Sequence, residues 1–517
     1  MKARHLLEGC GAAILILLAY LWPQISPSHA ALYFSVLPIN TVSRGILIDL
    51  LVVALVWAAV TFLIARKDKD KDKENRSAAW TILLAIAVVV TVASIAKLAE
   101  LRQRIPKPGL LAAGVLLVGF AAWRWAPAIY ARSISIFRVA LVLIGCCIFW
   151  MLPKLLFVAF HRPAPDKVSF RNLSADPDAS GERIVWILLD ELSYQQVFEI
   201  SHSNLQLPAL HHLAAESFSF SNLSAPGYYT AKVVPSLILG RQIAELESTL
   251  DGQAIIRTEK DSHWHLLDPQ QTLFAEAHRD GWTTGVAGWS NPYCRLLGSV
   301  LDSCFWYPDQ FTPAYMYSHM SPHKTTVENA LAPLSSSVRR LMHEKSTDPS
   351  PVDFHVRDAE GVLAPAEKLV ADKDIRFAFV HMPVPHPPGV YDRASQQVRN
   401  GGSYLDNLAL ADRDLQALLN SLHSAELDRH TIVIVCSDHS WRIPLWRGAA
   451  WWTKEDEQAA RTGFDPRPVL LVHFPGQQEG AQVSQAMNSL VMHDAIADIL
   501  RGRISNATQF SSWLADF

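Results

Sequence analysis

Ile432-Val433-Ile434-Val435-Cys436-Ser437-Asp438-His439 opens with β-branched residues and closes on polar ones. An apolar run this short, without alternation, reads as a strand buried on both faces, the kind found in parallel sheets. In such sheets functional residues lie just beyond the carboxyl ends of the strands. The strand Thr431–Cys436 therefore delivers Ser437, Asp438 and His439 to a sheet edge.

Similar runs lie at 184–189, ending in Asp190 and Glu191, and at 377–381, leading into His381-Met-Pro-Val-Pro-His386. Further strands are read near 283–287 and at 469–474, with helices at 210–216, 271–279 and 405–422. Apolar strands alternating with helices imply an α/β fold with a mainly parallel sheet covered on both faces. Three strands thus bring acids and histidines to one edge. Taken alone, Asp190 reads equally well as a helix cap, and a lone histidine as a structural one. Together they point to a metal, and carboxylates with imidazole suit zinc or manganese better than calcium or magnesium. Residues 307–375 look less regular and are expected to be an insertion.

The 517-residue chain is 50% hydrophobic but only 18% charged, with a formal net charge of -3. Soluble proteins carry about 25% charged residues, so part of this chain belongs in lipid. The charge argues against a nucleic-acid partner. Residues 6–23, 45–65, 79–96, 109–123 and 134–160 are apolar runs, and a bilayer-spanning helix needs roughly 20 such residues. They are read as five transmembrane helices making up residues 1–160. A cleaved signal peptide is the alternative for the first, but no small-residue cleavage site precedes Pro23. Lys2, Arg4 and the basic loop at 66–76 mark the cytoplasmic side, which puts everything after residue 160 outside. Lys97, Arg102, Arg104 and Lys107 run against that orientation. Pro163, Pro165 and Pro177 mark a linker at 161–182, and residues 183–517 form the outer domain. Among six cysteines, Cys294 and Cys304 are placed to pair as a disulfide in an oxidising compartment.

A nucleophile is expected in the segment 223–241, Leu-Ser-Ala-Pro-Gly-Tyr-Tyr-Thr-Ala-Lys-Val-Val-Pro-Ser-Leu-Ile-Leu-Gly-Arg, a loop entering a helix. Helix N-termini attract anions, and a Thr hydroxyl there becomes nucleophilic when a metal or base takes its proton. The chain order is strand-Asp190, Leu-Pro-Ala-Leu-His-His-Leu-Ala (207–214), Thr-x-x-x-x-Pro-Ser-Leu-x-x-Gly (230–240), His-x-x-x-x-His-x-Pro (381–388), Ser-Asp-His (437–439) and Arg-Pro-Val-Leu-Leu-Val (467–472). This order resembles the alkaline phosphatase/sulfatase superfamily. The five spans and a Thr five residues before the Pro are similar to the membrane phosphoethanolamine transferases and lipoteichoic acid synthases.

The resemblance implies an alkaline-phosphatase-like α/β/α domain. It implies Asp190, Asp438 and His439 as metal ligands, Thr230 as the metal-facing nucleophile that becomes phosphorylated, and His386 as a contact to substrate phosphate. Glu191 has no clear match. Sulfatases place their modified Cys or Ser two residues before the Pro, where this chain has Val233, which argues against sulfate-ester hydrolysis by that route. Two departures stand out: Ser440 replaces the usual Gly, and residues 440–472 contain no His. Arg442, Arg447 or Lys232 is expected to hold phosphate instead, since guanidinium forks match phosphate oxygens. The bland alternative for the Arg and Trp residues is a surface patch near headgroups. The resulting expectation is a multi-pass enzyme of a bacterial inner (plasma) membrane with its site on the periplasmic or extracellular side. It would move a phosphoethanolamine- or phosphoglycerol-type headgroup from a phospholipid donor to an envelope glycan or lipid acceptor, using zinc or manganese. A phosphodiesterase on the same site and an inactive envelope-assembly protein are the alternatives.

Overall fold

The computed structural model describes residues 3–18, 39–66, 124–161, 182–249, 252–308 and 351–516, with the isolated positions Leu21, Trp80, Leu83, Val118 and Ala121. The apolar runs at 79–96 and 109–123 and the linker lie almost wholly outside these residues. Two compact units are built, one on Met1–Pro163, the other on Ala164–Glu247, Ala254–Thr312 and Pro349–Phe517.

In the second unit the β-branched and aromatic runs do form strands, because such side chains fit a pleated, buried surface. The strands are Arg183–Leu189 (β1), Phe218–Phe220 (β2), Thr284–Trp289 (β3), Ser303–Tyr307 (β4), Phe377–Met382 (β5), Thr431–Cys436 (β6), Leu470–His473 (β7) and Ala481–Val483 (β8). They make one sheet in the order β8-β2-β7-β6-β1-β5-β3-β4. The five strands from β6 to β4 run parallel, while β7 is antiparallel to both its neighbours. Leu188 sits level with Cys436 on one side and His381 on the other. That register makes β1, β5 and β6 end together.

Both faces of the sheet are covered. Val185, Ile187 and Leu189 pack with residues of Pro208–Ala215 (α5), Pro351–Val370 (α7) and Tyr404–Ser424 (α8). On the opposite face Trp186 lies 4.4 Å from the Phe379 ring, and Phe274 stacks on Phe377 at 5.0 Å. Helix α8 starts at a capping box in which Ser403 and Asp406 satisfy each other's backbone N–H groups. Of the expected insertion at 307–375, residues 309–350 lie outside the described residues, and the part at 351–370 needs correcting: it forms α7, whose Val362 and Ala366 are buried in the sheet's core. Gly361 and Pro365 disguise it in the sequence. The Tyr307 ring lies where a Cβ on Gly361 would stand.

The first unit is helical: Ala3–Ile16 (α1), Ile39–Arg66 (α2), Pro127–Cys146 (α3) and Ile148–Phe160 (α4). Among the described residues two helices, Asn40–Ala65 and Ala128–Cys146, are long and apolar enough to cross a membrane. The run read as one span at 134–160 is broken at Cys147, which ends α3 and starts α4. Gly9 and Gly11 let α1 approach the backbones of α2 at Ala54 and α3 at Leu141, the close packing that small residues give lipid-embedded helices. Glu8, the charge that interrupts the first apolar run, is fully buried. Its carboxylate pairs with Arg4 at 2.9 Å and Arg138 at 3.0 Å.

Candidate active site

The level strand ends place Asp190 after β1, His381 on β5 and Asp438 and His439 after β6, all of them buried. Oxygen and nitrogen atoms of Asp190, Asp438 and His439 lie within 4.8 Å of one another. His439 Nε2 is 2.9 Å from Asp438 Oδ2, and His381 Nε2 is 3.4 Å from Asp190 Oδ2. The surrounding backbone fixes these groups. Glu191 N–H donates to Asp438 Oδ1 (3.2 Å), and Leu192 N–H donates to Ser437 Oγ (2.8 Å). The Tyr293 hydroxyl meets His381 Nδ1 at 2.6 Å, so the ring's other nitrogen faces the cluster.

The segment 223–241 brings Thr230 to the same place. It turns into the helix Thr230–Leu239 (α6) at an extended Tyr229 (φ -124°) and ends at Gly240 in the left-handed region, a conformation glycine adopts without steric cost. Thr230, the first residue of the helix, points its Oγ1 to within 3.3 Å of Asp190 Oδ2 and 3.2 Å of His439 Nε2. Val233, in the position where sulfatases carry their modified residue, is fully buried in the helix.

Asp190 Oδ1 and His381 Nε2 have no hydrogen-bond partner among the described residues, while Asp438 Oδ2 meets the His439 imidazole. Buried polar atoms are normally satisfied, and an unsatisfied carboxylate beside a second buried carboxylate calls for a cation. Burial, then Asp438, pushes the Asp190 carboxyl well above its usual range. Burial also acts on Asp438, but His439 outweighs it and holds that carboxyl below the ordinary value. His439 in turn is raised by Asp438 against the effect of burial. Burial lowers His381 to about 4, and lowers His386 well below its ordinary value with help from Arg442. Both imidazoles are therefore neutral at pH 7. The donor set of Asp190, Asp438, His439 and the Thr230 hydroxyl fits zinc or manganese.

Beside this cluster Glu191 sits in a different setting. Its backbone is in the left-handed region (φ 64°), unusual for a non-glycine residue. Arg442 Nε donates to Glu191 Oε1 (2.6 Å), and Trp446 Nε1 donates to the same oxygen (2.9 Å). Arg442 N–H donates to Oε2 (3.2 Å). Arg442 Nη1 reaches across to the Tyr228 carbonyl (3.1 Å), two residues before Thr230. His386 Nε2 lies 3.7 Å from Glu191 Oε1, with its ring between Trp289 and Trp446.

Asp190, Thr230, Asp438 and His439 thus converge, with His386 one carboxylate away. Two expected phosphate ligands do not join them. Lys232 Nζ donates to the Ala244 carbonyl (2.7 Å), because residues two apart on a helix point to different sides. Arg447 pairs with Glu457 at 3.1 Å on the surface. Arg442 is close, but its fork is engaged by Glu191. Sequence reasoning gave His381 no role, and it reads the stretch 288–294, which holds Trp289 and Tyr293, as sulfatase-like without giving either residue a role. The signal for His381 was a lone polar residue inside an otherwise apolar strand. Cys294 and Cys304 are joined in a disulfide.

A family model described as Sulfatase matches residues 182–502. Comparison with curated proteins gives no match. Among solved structures the chain is similar to a sulfatase from Pseudoalteromonas sp. (12% identity, TM-score 0.39, 62% of this chain and 68% of that one). It is also similar to a phosphonate monoester hydrolase of Agrobacterium radiobacter (13%, 0.35, 62% and 74%) and a lipoteichoic acid synthase from Listeria monocytogenes (12%, 0.37, 65% and 76%). Since the family match covers more than half of the chain, and the whole sheet that carries Asp190, Asp438 and His439, this protein belongs to the sulfatase family of the alkaline phosphatase/sulfatase superfamily.

Proposed function

We propose that the protein is a membrane-anchored, metal-dependent phosphoryl transferase. It takes a phosphoethanolamine- or phosphoglycerol-type headgroup from a phospholipid and passes it to an envelope glycan or lipid, on the periplasmic or extracellular side of a bacterial inner membrane. One observation carries the reading: Thr230 Oγ1, at a helix N-terminus, lies within hydrogen-bond reach of both Asp190 and His439.

Asp190, Asp438, His439 and Thr230 would hold the metal, most suitably zinc, which when bound lowers the pKa of the Thr230 hydroxyl and offsets phosphoryl charge. Thr230 Oγ1 attacks phosphorus, and the bond from phosphorus to the diacylglycerol oxygen breaks. The hydroxyl proton lies within reach of Asp190 Oδ2 and ends on the departing diacylglycerol oxygen. Neutral His386 serves as a hydrogen-bond donor to the phosphoryl oxygens rather than as a cation. The N-terminal end of the α6 dipole favours the same negative charge. An acceptor hydroxyl then attacks phospho-Thr230 and restores the free threonine. The apolar helices keep the site beside its lipid donor.

The test uses full-length protein with phospholipid labelled in its headgroup and an envelope extract as acceptor. The label is expected on an extractable glycan or lipid. Label released only as free phospho-headgroup would replace transfer by hydrolysis, and no release at all would remove the enzymatic reading.

A further inference from the structure

His386 sits in an irregular loop between β5 and the strand Gly389–Asp392. Such a loop has no ladder of backbone hydrogen bonds, so its buried carbonyls need other partners. Two side chains from separate helices supply them. Asn407 on α8 donates from Nδ2 to the carbonyls of His386 (2.8 Å) and Pro388 (3.0 Å), and its Oδ1 accepts from Val390 N–H (2.8 Å). His355 on α7 donates from Nε2 to the same His386 carbonyl (2.7 Å). A carbonyl only accepts, so His355 carries a proton on Nε2. One turn further along the same helix face, Asp358 Oδ2 lies 3.6 Å from the other ring nitrogen. Asn407, His355 and Asp358 are all fully buried.

Asn407 already holds the backbone of the loop, so the fold alone does not call for the pair on α7. Burying an acid beside an imidazole carries a desolvation cost that a well-packed apolar pair would avoid. What His355 adds is contact with the ring of His386. The two imidazoles pack with centroids 5.5 Å apart, and Trp289 at 5.4 Å and Trp446 at 5.2 Å close the other sides. We propose that His355 is a positioning residue for the phosphoryl contact. Asp358 orients its ring, and its Nε2–H and its face together fix where the His386 imidazole points. Asn407 reaches only main-chain atoms of the loop, whereas His355 reaches main chain and ring at once. The inference rests on the phosphoryl-transfer reading and on His386 as the contact to phosphate. Placement of that ring matters because a misplacement of about 1 Å can cost about 10²-fold in rate.

The test is a double-mutant cycle on turnover. Full-length, zinc-loaded protein is assayed in detergent micelles of phosphatidylethanolamine and phosphatidylglycerol, each labelled in its headgroup, with thermal melting of every variant alongside. H355F keeps a ring but removes the N–H donor, and is expected to lower kcat by about 10²-fold with KM little changed. H355Q, whose amide reaches the same carbonyl, is expected to recover most of that loss. In an H386A background, H355F should cost no more than about twofold, because it acts only through the ring already removed. An equal loss from H355F in both backgrounds would overturn the proposal, as would wild-type turnover in folded H355F or no recovery in H355Q. If H355F does not fold, D358N decides. It is expected to cost about 10-fold in wild type and nothing in H386A, and equal costs in both would overturn the proposal. Wild-type protein that turns over neither lipid would instead remove the enzymatic reading on which the proposal rests.

Discussion

Asp190 and Glu191 are consecutive, both are fully buried, and their carboxylates meet opposite surroundings. Asp190 faces another carboxylate and keeps an oxygen without a partner, whereas Glu191 is saturated by Arg442 and Trp446. The lesson is that burial of an acid does not itself mark function. The mark is burial without satisfaction, which is tolerated when a ligand completes the site.

The largest effects should come from removing a carboxylate on the unsatisfied side. Asp190→Asn and Asp438→Asn are each expected to abolish tight metal binding and cut turnover by about 10³-fold or more, read by elemental analysis and substrate assay. Metal-free Asp190→Asn should nevertheless melt higher than metal-free wild type, by about 0.5–2 kcal/mol in stability, because it removes a buried like-charge contact. A lower melting point would mean that Asp190 is structural, and the contrast with Glu191 would fail.

Asp414 on α8 sharpens the contrast from outside the site. It is buried beside Arg413, yet burial still raises its carboxyl to about 6 from 3.8. A raised acid pKa favours the protonated folded state, so this contribution is present below pH 4 and lost as pH rises through about 6. Asp414→Asn should therefore stabilise the protein by about 3 kcal/mol at pH 7 and by little at pH 3, measured by denaturant melts at both. An equal effect at both pH values would contradict it.

The Cys294–Cys304 disulfide, closing ten residues, holds the segment that begins with Tyr293, the partner of His381. Replacing both cysteines by serine is expected to cost about 3 kcal/mol, seen in the same melts. The smallest effect is expected at Arg447. Its ion pair with Glu457 is about half exposed, so Arg447→Ala should change stability by less than about 0.5 kcal/mol and leave turnover alone.

Much of this was legible in the sequence because parallel strands leave plain marks. The strand Thr431–Cys436 has the boundaries its apolar run implies, and the acids after β1 and β6 do meet. Thr230 could be placed only by analogy of motif, since its approach depends on how the loop before α6 folds back. Lys232 was misplaced because nearness along a helix was taken for nearness in space. The Glu191–Arg442 pair spans 251 residues of chain, and no local pattern announces a contact of that range. Helix α7 was missed because Gly361 and Pro365 weaken its helical signal.

The central claim is that Thr230 is the nucleophile. Intact mass spectrometry of full-length protein, zinc-loaded and quenched during turnover of a phospholipid, tests it most directly. The account predicts an adduct equal in mass to the phospho-headgroup, mapped to Thr230 and absent in Thr230→Ala together with turnover. An adduct on another residue, or turnover that survives Thr230→Ala, would contradict it.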